Sequence, residues 1–144
     1  MKKRIRLSIP LEPVPKGRPR VAFTNGKVRT YTPERTLQAE YDLRLFLMKH
    51  QDKMFEAHIP VKISVTFYRT KPKWCPKGMT KAEWSTSTMP ERKPDTDNYI
   101  KWLLDSMNGI LVDDDAQITT LTAKKRWSDN GSGRIEIDLQ EDKD

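Results

Sequence analysis

The chain has 144 residues, enough to bury one core but short for two. Its 27 Lys and Arg against 20 Asp and Glu leave a net charge of +7, which draws polyanions and puts nucleic acid first among partners. No run is long and apolar enough to cross a bilayer, no segment joins a long apolar face to a basic one, and Cys75 with His50 and His58 makes neither an intrachain disulfide nor a zinc set.

At the start, Met1-Lys2-Lys3-Arg4 has the charge of a signal peptide, but Arg6 and Pro10 interrupt the apolar run it needs. A single domain over residues 1–144, without membrane or small-molecule cofactor and at home in a reducing cytoplasm, is expected. Ile5, Leu7 and Ile9 alternate with polar residues as in a half-buried strand closed by Pro10. The stretch from Leu11 to Arg20 is too rich in Pro for regular structure and reads as an extended basic loop. Val21 to Thr24 and Lys27 to Tyr31 flank Asn25-Gly26, a pair that tolerates the positive φ of a tight hairpin.

Thr32-Pro33 supplies a helix start, and Leu37, Tyr41, Leu45 and Met48 share a face, predicting a helix from Pro33 to about His50. Val61, Ile63, Val65 and Phe67 predict a second half-buried strand. Residues 69–92 lack periodicity and read as a long basic loop containing Trp74 and Trp84. From Asp95 to Asn108 the period is helical, with Ile100, Leu103, Leu104 and Met107 on one face and Asn108-Gly109 as a left-handed end. Strands over Gln117 to Trp127 and Arg134 to Leu139 follow, joined by a hairpin loop. The order predicts an α+β fold, a mixed β-sheet covered on one face by two helices.

Six aspartates fall between Asp95 and Asp115 in a basic chain. Crowded carboxylates repel, so such a segment is either well solvated or holds a cation, and hard oxygen donors select magnesium, manganese or calcium. The helix climbs ~16 Å from Asp97 to Asn108, and an extended return of ~20 Å can bring Asp115 back beside Asp97. Each part also has a plain reading. Asp95 is a credible N-cap, Asp97 a first-turn acid and ion-pair partner of Lys101, and Asp113 to Asp115 a solvated turn. Their convergence within one segment, after the cations Arg92 and Lys93, favours a site.

Lys16, Arg18 and Arg20 sit among prolines that reduce the entropy lost on docking to phosphates, which favours DNA contact over an ordinary charged surface. Lys124 and Lys125 are a weaker case, because strand edges carry lysine to prevent sheet-to-sheet association. Trp74 and Trp84 can stack on bases or simply cover the core.

The segments Lys93-Pro94-Asp95-Thr96-Asp97-Asn98, Lys101, Leu104-Asp105, Asn108-Gly109 and Asp114-Asp115-Ala116-Gln117-Ile118 resemble the RusA family of Holliday junction resolvases. The resemblance extends to residues 13–20 and to Tyr31-Thr32-Pro33, and omits 69–92. It implies a homodimeric endodeoxyribonuclease of bacteria, prophages and phages that nicks opposing strands of four-way junctions, in recombination and repair, with Mg²⁺, or Mn²⁺ in its place. By position it implies Asp95, Asp97 and Asp115 as metal-binding and catalytic carboxylates and Lys101 as the catalytic lysine; the cations expected to face DNA, read from the residues themselves, are Lys16, Arg18, Arg20, Lys93, Lys124 and Lys125. Three aspartates precede Ala116 where the family pattern has two, which leaves Asp114 and Asp115 both open as the third ligand. The competing readings are a non-catalytic DNA-binding protein and a nuclease for flaps, forks or other branched DNA.

Overall fold

A computed structural model of the chain describes residues 3–16, 20–31 and 34–143. In chain order the elements are β1 (Arg4–Ile9), β2 (Arg20–Thr24), β3 (Lys27–Tyr31), α1 (Glu34–Met48), β4 (Val61–Arg69), α2 (Lys81–Thr86), α3 (Thr96–Met107), β5 (Ile118–Trp127) and β6 (Arg134–Glu141), with 3-10 turns at Gln51–Lys53 and Asp115–Gln117. The fold is α+β, as the order of apolar periods predicts. Two compact units make it up, one of Met1–Pro13, Pro60–Thr96 and Ile118–Asp144, the other of Val14–Ile59 and Asp97–Gln117.

The first unit is a mixed four-stranded sheet in the order β1-β6-β4-β5. β6 pairs antiparallel with β1 and with β4, while β4 and β5 run parallel, so β4 separates β5 from β6 and the hairpin expected between these two strands does not form. Alternation sets the register: Ile5, Leu139 and Ile63 form one cross-strand row, and Ile9, Ile135 and Phe67 another. These six side chains are at most 2 % exposed, and burying each stabilises the fold by about 1.5–3 kcal/mol. The opposite face is polar, with Arg6, Ser8, Ser64, Thr66, Glu136 and Asp138 lining a shallow concavity. On that face Arg4 donates to both carboxylate oxygens of Asp138 and holds its pKa below the usual carboxylate value. β5 is an outer strand, with Lys124 exposed along it.

Residues 69–92 are not wholly irregular. Thr80 caps α2, its Oγ1 accepting from the Glu83 N–H at 3.1 Å. The Thr80-Lys81-Ala82-Glu83 spacing is a capping box, a signal for this helix that the search for apolar periodicity passes over.

In the second unit β2 and β3 form the expected hairpin, turning at Asn25 and Gly26 with φ of 52° and 74°. The proposed start of α1 at Thr32-Pro33 lies outside the described residues. The apolar face that marks α1 in the sequence is not the one it buries. Leu37, Tyr41, Leu45 and Met48 are exposed, and Thr36, Ala39, Leu43 and Leu47 are buried instead. The helix carries two adjacent apolar stripes, and Arg44 helps decide between them. Its Nη1 donates to the carbonyls of Ser106 and Asn108 at 3.2 and 3.1 Å, satisfying the C-terminal end of α3, where a cation also complements the helix dipole.

α3 buries Tyr99, Trp102, Leu103, Ser106 and Met107. Leu103 and Met107 were expected. Ile100 and Leu104 are only half-buried, because the larger rings of Tyr99 and Trp102 take the interior. Gly109 ends the helix at φ 76°, and Ile110, Leu111 and Val112 turn inward behind it.

Candidate active site

α3 places Asp97, Lys101 and Asp105 four residues apart, hence along one side of the helix. Asp97 and Lys101 are exposed and Asp105 is half-buried. Lys16 Nζ lies 2.6 Å from Asp105 Oδ2 and 3.8 Å from Glu40 Oε2, and the Lys16 N–H donates to the Asn98 carbonyl. The charge of Lys16 is therefore largely balanced inside its own unit, where it ties the basic segment to α3. Arg18 lies outside the described residues, and of Arg20 only the backbone, the first residue of β2, is described.

The return from α3 is fixed by Gln117. This buried side chain accepts from the N–H groups of Asp113 and Asp114 at 2.8 and 3.2 Å, and donates to the carbonyls of Glu56 and Ile59 at 2.8 and 3.0 Å. All its bonding capacity is used. Asp114 turns its Oδ1 onto the Ala116 N–H at 3.0 Å, which with the proton shared from Asp115 holds its pKa low. Asp115 is pushed the other way. Its hydrogen bond to Asp114 raises its pKa first, followed by burial and by the charges of Asp114 and Asp105, against a lowering by Lys101. Asp115 thus stands within the electrostatic reach of the Lys101 and Asp105 turns of α3. A cation there would relieve the carboxylate repulsion and displace the proton.

Asp95 belongs to the other unit. The segment before it is anchored by Lys125, whose Nζ donates to the carbonyls of Arg92 and Pro94 at 2.8 Å each, and by Arg69, which reaches the Lys93 carbonyl at 3.4 Å. Burial, then the charge of Arg69, lowers the Lys125 pKa, while Asp95 and Glu91 raise it. Lys125 is a structural clamp on β5 rather than a free surface cation. Lys93 and Lys124 are exposed.

Among the described residues, no three His, Cys, Asp or Glu side chains stand together as a metal-holding group. The donors nevertheless fit a hard divalent ion in kind: they are carboxylate oxygens, and the Asp115 pKa is raised by its hydrogen bond to Asp114, then by burial, then by the charges of Asp114 and Asp105.

The family model for the endodeoxyribonuclease RusA matches residues 10–140. The chain belongs to the RusA family. It is therefore a nuclease, with DNA as its substrate class. The chain is 36% identical over 121 residues to the crossover junction endodeoxyribonuclease rusA of Lactococcus phage r1t, covering 81% of this chain and 80% of that protein. It is 31% identical over 139 residues to the uncharacterized protein YqaN of Bacillus subtilis strain 168, covering 95% and 96%. The RusA match spans both units. Sequence reasoning missed Gln117 as the clamp, although it quoted Ala116-Gln117 within the motif, and it missed Arg44, whose spacing carries no local signal.

Proposed function

We propose that this nuclease resolves four-way DNA junctions in recombination and repair, as a homodimer making paired nicks in opposing strands with Mg²⁺ or Mn²⁺. The setting is the bacterial cytoplasm, the coding source a host or a phage. Among the described residues no helix is long and apolar enough to cross a membrane. The observation that carries the reading is the return of Asp115 to α3, where Asp105 and Lys101 act on it.

In this reading Asp95, Asp97 and Asp115 hold the metal. Asp115 is preferred to Asp114, whose Oδ1 is already engaged with Ala116. When bound, the ion lowers the pKa of a water molecule and neutralises phosphate oxygens. Lys101, one turn beyond Asp97, orients the phosphate and stabilises charge as the P–O bond breaks. Asp105 and Glu40 balance Lys16 and hold the segment around it, and the exposed Lys93 and Lys124 add phosphate contacts, with Arg18 and Arg20 in the same role. Purified chain incubated with junction, flap, duplex and single-stranded DNA, in Mg²⁺ or EDTA, should give symmetric nicks in the junction alone, and only with metal. Equal cutting of all four, or cutting in EDTA, contradicts the proposal.

A four-way junction has approximate two-fold symmetry, which a C2 pair of chains matches with one site each. The second unit offers a surface for that pairing. Val21, Phe23 and Val28 on the hairpin and Leu37, Tyr41, Leu45 and Met48 on α1 are 47–80% exposed. These exposed apolar side chains are candidates for burial against a second copy, where a standard interface covers ~800 Å² on each partner. Leu45→Glu, already exposed in one chain, should fold normally, sediment as a monomer and lose the coupling between nicks. A variant that stays dimeric with coupled nicks removes this face from consideration.

A further inference from the structure

Residues 69–92 build a cavity of about 190 Å³ in the sheet unit, walled by Trp74, Trp84 and Trp127 with Arg69, Arg92, Lys93 and Glu91 around it; Glu91 lies 3.5 Å from Arg92 in an exposed ion pair. Drug-sized ligands occupy roughly 300–1,000 Å³, so this space suits one planar ring system. Its walls are held in place. The Trp84 Nε1–H donates to the Pro72 carbonyl at 3.2 Å, and the Trp84 ring meets Trp127 edge to face at 5.5 Å. Trp74 lies nearly parallel to Trp84, at 17° and 6.2 Å, yet is 60% exposed. A tryptophan that only covered a core would not leave most of its ring in solvent. The Arg69 guanidinium sits 5.3 Å from the Trp127 ring centre, and Arg92 and Lys93 lead directly into Asp95, fixed by the Lys125 clamp.

An apolar aromatic slot with three cations against one carboxylate around it, a few residues before an acidic segment of a nuclease, matches a nucleotide in both its halves. We propose that this slot takes one unstacked nucleobase of the DNA near the branch point, the base stacking on Trp74 while Arg92 and Lys93 meet the adjoining phosphates. The proposal rests on the nuclease reading and adds the base-holding element that places the strand against the Asp95 segment. Stacking on an aromatic ring tolerates any base, so the slot recognises an opened strand and not a sequence.

The test is binding of four-way junctions in EDTA, where no cleavage occurs, with wild-type, Trp74→Ala and Trp74→Phe chains. Intact junctions are compared with junctions carrying a single abasic site at each nucleotide around the branch point. Trp74→Ala should bind about ten-fold more weakly, and Trp74→Phe should restore most of the loss. At one position the abasic site should weaken wild type by a similar factor and leave Trp74→Ala unaffected. Equal affinity of Trp74→Ala and wild type, or an abasic penalty identical in both, overturns the proposal. Cleavage of the intact junction by wild type in Mg²⁺ is measured in parallel. Normal nicking with no Trp74 effect sinks the slot alone, and base-dependent binding with no nicking in any metal sinks the nuclease reading alone.

Discussion

Asp97→Asn is expected to bind four-way junctions as wild type does and to cut them at least about 10²–10³-fold more slowly, the scale of losing one charge-stabilising group at a reacting phosphate. Asp97 is exposed in the first turn of α3, so the change removes charge without disturbing packing. Asparagine remains a capable residue near a helix start, which keeps the stability change within about 0.5 kcal/mol. A cap or ion-pair role alone would leave the rate almost intact, since a helical pair with Lys101 is worth only about 0.2–0.5 kcal/mol. Single-turnover cleavage at saturating enzyme separates the two. Near wild-type rates would leave Asp97 as an ordinary first-turn acid.

Gln117→Ala acts on shape. Four hydrogen bonds meet at this side chain, two into the Asp113–Asp114 backbone and two out to Glu56 and Ile59. Truncation leaves those groups without the partner, at about 1–3 kcal/mol for each that stays buried and unsatisfied. Water entering the space offsets part of this, and a net loss of about 3 kcal/mol is expected. With a urea m-value of ~1–3 kcal/mol/M the midpoint falls by roughly 1–3 M. The turn that presents Asp115 loosens as well, so cleavage by the folded fraction should fall and recover in part as Mg²⁺ is raised. A stability loss with unchanged metal dependence would make Gln117 a packing residue with no part in positioning Asp115.

The sequence made plain whatever depends on neighbours along the chain. Alternating Val61, Ile63, Val65 and Phe67 specify a strand with one buried face, Asn25-Gly26 a hairpin, and Gly109 a helix end. The α1 face was not legible, because the helix has two apolar stripes and the one it buries goes with Arg44 bonding to carbonyls some sixty residues away. Similarly, the partners of Lys16 and Lys125 were not legible, one being engaged by Asp105 and the other by the carbonyls of Arg92 and Pro94. Within the site, the residue types and their order were legible, and the resemblance they carry is confirmed by the family match. The clamp at Gln117 was not, since a glutamine beside an acidic turn has no pattern until Glu56 and Ile59 are folded against it.

Metal binding to the acidic segment is measured most directly by calorimetric titration of Mg²⁺ and Mn²⁺ into wild type, Asp97→Asn and Asp115→Asn, in buffers of different ionisation enthalpy. Wild type should take up one or two ions per chain, with proton release that grows as the pH is lowered, because the Asp115 pKa is raised and the ion competes with its proton, and each variant should bind at least ten-fold more weakly. Unchanged affinity and stoichiometry in both variants would show that these carboxylates do not hold the ion.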